Sequence, residues 1–391
     1  MIAPPPSQLN PPIGDDLMPP QRSPRAEFWR LLRKNRMAFS GLVVFALFFL
    51  LAIIGLALTS GTEPLVDPST VRLQEKLRPP LSRANAASLS PDEVPPLGIY
   101  LLGTDDLGRD VFARMLQGAW VSLTVGFVAV GISVCIGIIL GGIAGYYGQQ
   151  HICSAHLLVC GLLAAAPMLA AAGNTPAAVL AVILALPLLG WLWRQAGLPA
   201  EKTERFGFAR LLRGRLFSVD TLIMRVVDIM LCFPTFFLIL TVVALLPASL
   251  YNIMIVIGLT SWMGTTRFVR AEFLSLREQD FVAAARALGL SDARIIFRHM
   301  MPNAIAPVLV SATLGIASAI LTEAGLSFLG FGVPPPHATW GNILSDGKAF
   351  IFDAPWLTFT PGIVILIVVL AFNLFGEGLR DIFNPKLRER N

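Results

Sequence analysis

The feature that most limits what this chain can fold into is a series of uninterrupted apolar runs, each long enough to cross a bilayer. The first, from Met37 to Thr59, follows the basic cluster Arg30, Arg33, Lys34 and Arg36. As a helix it is long enough to span the ~30 Å hydrocarbon core. Comparable runs cover Ala119 to Tyr147, Thr221 to Leu246 with Pro234 available to kink it, Leu250 to about Thr266, Asn303 to Phe331, and Trp356 to Gly376. The expected fold is therefore all-α, a polytopic transmembrane helix bundle with a six-helix core. Charge content agrees, since only 14% of the 391 residues are charged, against about 25% in a soluble domain.

Orientation follows from where the basic residues fall. The cluster before the first run places the amino terminus in the cytoplasm by the positive-inside rule. Residues 1–27, rich in Pro and polar residues, read as a disordered cytoplasmic tail and not as a signal peptide, because the apolar run comes too late and is too long. Residues 28–60 form an amino-terminal segment with the first span, and 61–118 an extracytoplasmic segment with a slight acidic excess. Within it, Arg109 and Arg114 have Asp105, Asp106 and Asp110 as neighbours for local ion pairs. Residues 119–148 and 218–384 make the core, and Lys386, Arg388 and Arg390 put the tail 385–391 inside. The net charge of +5 is modest and sits beside apolar runs, so no nucleic-acid partner is expected. The four cysteines, Cys135, Cys153, Cys160 and Cys232, lie in apolar stretches without metal-like or disulfide spacing.

One hydrophilic stretch stands out between the spans. From Asp280 to Asn303 the spacing predicts two short helices: Phe281, Ala284, Ala285 and Leu288 repeat at i, i+3, i+4, i+7, as do Ala293, Ile296, Phe297 and Met300. Gly289 closes the first in the left-handed conformation, Ser291 caps the second with Asp292 in its first turn, and Pro302 stops it. Arg286, Arg294, Arg298 and His299 crowd the same turns. Periodicity alone fits either a helix pair lying in the headgroup layer or a knob for a soluble partner.

A resemblance separates the two. The pattern Ala284-Ala285, three residues, Gly289 and a spacer ending in Pro302 resembles the "EAA" loop of ABC-importer membrane subunits. There the loop forms the coupling helix that docks on the ATPase. With AARALG, RIIFRH and PN, the string is similar to the C-type permease of the oligopeptide/dipeptide/nickel importer family. FWRLLRKNRMAFSGLVV near the start, Gly103 to Ala119, and the loop Gly332 to Pro355 resemble the same family. Ala283 departs from it, standing where the motif has Glu. The resemblance implies a passive subunit forming half of a translocation path, with a second homologous permease, two ATPase subunits and an extracytoplasmic substrate-binding protein as partners. Peptides are its implied cargo, with nickel or other small solutes open. It also implies that Phe281, Ala284, Ala285, Arg286, Gly289, Arg294, Arg298 and Pro302 form the ATPase-docking surface. No cofactor is expected on the chain itself, since ATP belongs to the partner.

Two acids fall at or near membrane depth, where carboxylates are costly and face a partner or an aqueous path. Asp228 has Arg225 one helical turn away. Glu323 has no basic neighbour in sequence, which leaves lining of the translocation path and a helix–helix hydrogen bond as equal readings. A proton-coupled secondary transporter using Glu323 and Asp228 is the alternative function; it leaves the 280–303 loop unexplained. The string Ser345 to Ala349, SDGKA, imitates a phosphate loop, but Ala349 replaces the magnesium-binding hydroxyl and the upstream Gly is missing. No His, Cys and carboxylate set suggests a metal or nucleophile.

Residues 149–217 are an insertion relative to the family pattern. It is apolar from Leu157 to Trp193, broken by Gly173-Asn174-Thr175-Pro176, and followed by Arg194, Lys202, Arg205, Arg210, Arg213 and Arg215. Each arm is near the ~17-residue minimum for a span. Parity requires the chain to be inside at both ends, which predicts a two-helix hairpin, with re-entrant arms at Pro167 and Pro187 as the alternative.

Overall fold

The computed structural model describes residues 24–61, 64–85, 89–90, 93–148, 151–153, 180, 183–186 and 215–383. Helix α1, Pro24–Lys34, leads into α2, Arg36–Thr59. Asn35 joins them and caps α2, its side chain accepting from the Ala38 amide at 3.1 Å. The longest uninterrupted α-helix among the described residues, α3, runs Val111–Tyr147 after an N-cap at Asp110, whose carboxylate accepts from the Phe112 amide at 2.8 Å. Its 37 residues, at 1.5 Å each, separate its two ends by about 55 Å.

Among the described residues, four helices are long and apolar enough to cross a membrane: α2, α3, α9 (Asp292–Phe328) and α11 (Trp356–Phe383). Two expected spans are interrupted, the first at the proline that the sequence offers as a kink. The run around Pro234 forms α4, Val219–Cys232, and α5, Thr235–Leu245, bent by 81°. The break lies at Phe233 and Pro234, where Pro holds the preceding residue in extended backbone and the helix cannot continue. The next run stops at Ser261, giving α6, Leu250–Thr260, and α7, Trp262–Arg277. Helix α8, Asp280–Ala287, and the short α10, Trp340–Gly347, lie between these spans.

Packing centres on α3, which touches α2, α4, α6, α7, α9 and α10. Three glycines of α3 let it lie directly against α7. A Cβ at Gly137 would lie 2.6 Å from Thr265, at Gly141 2.6 Å from the Thr266 carbonyl oxygen, and at Gly145 2.4 Å from Phe273. Without a hydrophobic drive inside lipid, such backbone-close contact supplies the association by dispersion.

At one end, the segment before α3 and the loop before α11 fold over each other. Strands β1, Ser82–Arg83, and β2, Ile99–Tyr100, pair antiparallel. The Trp340 indole donates to the Met115 carbonyl at 3.2 Å, and the Trp356 indole to that of Thr104 at 3.3 Å. Of the arms of the predicted inserted hairpin, only residues 180 and 183–186 lie among the described residues, where they are helical; the rest of both arms lies outside them. Its two ends are described: β3, His151–Cys153, pairs antiparallel with β4, Arg215–Ser218, so the insertion leaves and rejoins the bundle at one place.

Candidate docking site and translocation surface

The 280–303 loop sits at the far end of α3 from the β1–β2 segment. Helix α8 closes in a Schellman motif. The Leu290 amide donates to the Ala285 carbonyl at 3.2 Å, the Gly289 amide to that of Arg286 at 2.9 Å, and Gly289 has φ +73 as the sequence predicts. Ser291 takes the N-cap position of α9 in extended backbone, without a side-chain hydrogen bond.

The loop is fixed to the bundle by one face. Val282, Ala285, Ile295 and Met300 are buried in a cluster with Tyr146, Val269, Phe273 and Leu276. The Tyr146 hydroxyl donates to Asp292 at 2.6 Å, and the Arg286 guanidinium lies 5.0 Å from the centre of the Tyr146 ring. Ala285, expected on the docking surface, therefore turns inward, because the buried stripe is offset by one residue from the predicted one and runs through Val282. Phe281, Ala284, Leu288 and Phe297 face outward, Leu288 at 80% and Phe297 at 66% exposure, beside exposed Arg286, Arg294 and Arg298. Ala283 is exposed on the same helix.

Pro302 does not stop a helix. Residues Ile295–Met300 form a π-helical turn, with the Met301 amide donating to the Ile296 carbonyl, and α9 continues through Pro302 to Phe328. The wider turn accommodates a ring that would clash with the carbonyl four residues back and that has no N–H to give.

The two acids differ. Asp228 is half-exposed and paired with Arg267 at 2.8 Å as well as Arg225 at 3.7 Å. Glu323 is fully buried: Ser327 donates to it at 2.7 Å, and Ser122 lies 3.5 Å away while accepting the Trp340 amide at 3.2 Å. It joins α9, α3 and α10, which is the helix–helix reading, and it is absent from the walls of both cavities described next.

A cleft of about 140 Å³ lies between α3, the α6–α7 break and α9, one turn from Glu323. A larger cavity of about 710 Å³ opens between the residues just before and at the start of α3 and the loop that leads into α10, and takes in Asp106, Arg109, Arg114, His337 and Asp346. Arg109 and Arg114 bind Asp105 at 2.6 and 2.5 Å and reach Asp346 at 3.3 and 2.9 Å, tying the segment before α3 to α10. Burial, then the charges of Asp105 and Asp346, push the Asp106 carboxyl above its ordinary range. Asp346 was not foreseen. It sits in the false phosphate loop, which is helical here: Ser345 to Gly347 end α10 and Lys348–Phe350 form a 3₁₀ turn. Tyr146 was equally unforeseen, since nothing in sequence links it to a loop some 140 residues on.

Fold and surface together define a multi-pass membrane subunit that presents a rigid, partly apolar knob at one end and a polar cleft between its spans. Residues 206–389 match the family described as binding-protein-dependent transport system inner membrane component, and residues 23–80 match the N-terminal transmembrane domain of oligopeptide transport permease C. The chain is 36% identical over 366 residues to the dipeptide transport system permease protein DppC of Alkalihalophilus pseudofirmus, covering 94% of this chain and 91% of the relative. It is 31% identical over 357 residues to the oligopeptide transport system permease protein OppC of Bacillus subtilis, with 91% and 88% covered. With DppC of Haemophilus influenzae the identity is 32% over 373 residues, with 94% and 97% covered. The chain belongs to the binding-protein-dependent ABC transporter permeases. It is a multi-pass inner-membrane component that works with an ATPase and a substrate-binding protein.

Proposed function

We propose that this chain forms half of the translocation path of an ATP-driven peptide importer and receives its power stroke through the 280–303 loop. The path is completed by a second, related permease; two ATPase subunits sit on the cytoplasmic side, where both termini lie, and a binding protein delivers substrate from outside. ATP binding draws the ATPases together, moves the docking loops and opens the path outward, a rigid-body transition between two packed states. The chain contributes no bond-making chemistry and holds no nucleotide.

One observation carries this reading. The loop is anchored by a buried face while Leu288 and Phe297 stand 80% and 66% exposed beside exposed Arg294 and Arg298, an arrangement suited to a groove on a soluble protein. The names of the relatives, which are dipeptide and oligopeptide permeases, support peptides as cargo. The proton-coupled alternative gains nothing from Asp228, which is neutralised by two arginines in an exposed position.

Uptake by the complete complex in proteoliposomes decides between them. With ATP present and the proton gradient collapsed, peptide uptake is expected to continue; omitting the ATPase subunits should abolish both uptake and ATP turnover. Uptake that needs the gradient and ignores ATP would overturn the proposal.

A further inference from the structure

The small cleft between α3, the α6–α7 break and α9 is half hydroxyl in its lining. Six hydroxyls line it: Ser133 from α3, Ser261 and Thr265 from the α6–α7 break, and Ser311, Ser318 and Thr322 from α9. The other six lining residues are Ala, Val, Ile or Gly, so no charge faces the space. Ser318 lies ten residues before Phe328 at the end of α9, roughly 15 Å along the helix axis and so well inside the apolar layer.

Two of these hydroxyl residues, Ser261 and Ser318, are exposed at that depth, and Gly264 between them opens on empty space. Leu259, Leu314 and Leu321 stand exposed on the same helices. The threonines are satisfied within the fold: Thr322 donates to the Ser318 carbonyl at 2.8 Å, and Thr265 shares a 3.2 Å bond with Ser311. Among the described residues, the hydroxyls of Ser133, Ser261 and Ser318 have no such bond. A polar group left open to hydrocarbon is costly. This face is therefore built against something that hydrogen-bonds.

We propose that the cleft is a binding station for the backbone of a translocating peptide, and that it is indifferent to side-chain charge. The inference rests on the importer reading above and adds the residues and the chemistry of recognition. A hydroxyl is both donor and acceptor, so a row of them can pair with the alternating N–H and C=O of any peptide. A charged side chain finds no counter-charge there, and neither sign is favoured. The volume matches one residue, since a cavity of about 150 Å³ takes a benzene ring.

Two measurements on the complete transporter test this, in a background with the four cysteines replaced by alanine. A water-soluble cationic thiol reagent is expected to modify Ser318→Cys, and transported peptide to slow that modification. If Ser318→Cys stays unmodified while peptides are imported, the face meets lipid or a partner helix: the cleft proposal is overturned and the importer reading stands. The second measurement is the maximal uptake rate of Ala-Glu-Ala, Ala-Ser-Ala and Ala-Lys-Ala at saturating binding protein. The unaltered cleft is expected to hold these within about threefold, while Ser318→Asp should shift the Lys-to-Glu rate ratio by about tenfold or more, the size of a single close charge pair. A uniform change across all three peptides in Ser318→Asp would overturn it. Modification of Ser318→Cys in a transporter that moves none of the peptides would overturn the peptide assignment itself.

Discussion

Gly289 shows how much a single residue carries in this chain. Its φ of +73 is forced by the Schellman closure of α8, and a Cβ there would meet nothing within 4 Å, so backbone conformation and not space excludes other residues. Gly289→Ala is expected to cost about 1 kcal/mol, the left-handed penalty for a residue with a Cβ, and to leave transport measurable. Gly289→Pro cannot adopt that φ and loses the donor to Arg286, so it should abolish ATP-driven uptake while the complex still inserts and assembles. Uptake assays and membrane fractionation of the two variants check this. Gly289 was legible in sequence because its flanks made the turn unambiguous. Ala285 was not, because a helix of eight residues has two overlapping apolar stripes and sequence does not say which one faces the bundle. The structure selects the stripe through Val282.

At the scale of elements, the link between loop and bundle runs through α3. Its glycines seat it on α7, and its last turn offers Tyr146 to Asp292 and Arg286. A push on α8 is thereby carried into the longest uninterrupted helix of the described fold. Tyr146→Phe keeps the ring under Arg286 and removes only the hydroxyl bond. A hydrogen bond to a charged group is worth about 1.5 kcal/mol, so uptake per ATP hydrolysed is expected to fall roughly tenfold with ATPase activity retained. Side-by-side assays of uptake and phosphate release measure that ratio; an unchanged ratio would leave Tyr146 with packing alone. Such contacts are invisible to periodicity, which reads neighbours three or four residues apart. The same limit hid Asp346, which meets Arg114 across 232 positions. The bend at Pro234 was legible, because proline cannot continue a helix, whereas the break at Ser261 was not, because hydropathy counts apolar length and does not say whether that length stays straight.

For the whole molecule, the apolar runs and the 280–303 motif were enough to read the class, because lipid admits few folds and because the motif's glycine and spacing are demanding. Where each surface faces was not readable, since exposed apolar residues at membrane depth and at a protein interface look alike in sequence. On the function proposed above, the exposed side of α8 meets an ATPase. That contact is tested most directly by replacing Leu288, the loop's most exposed large apolar residue, with a photo-crosslinking amino acid in the assembled transporter. Irradiation is expected to join this chain to the ATPase subunit, with a yield that changes when ATP is bound. Crosslinks confined to lipid, whatever the nucleotide, would contradict the account.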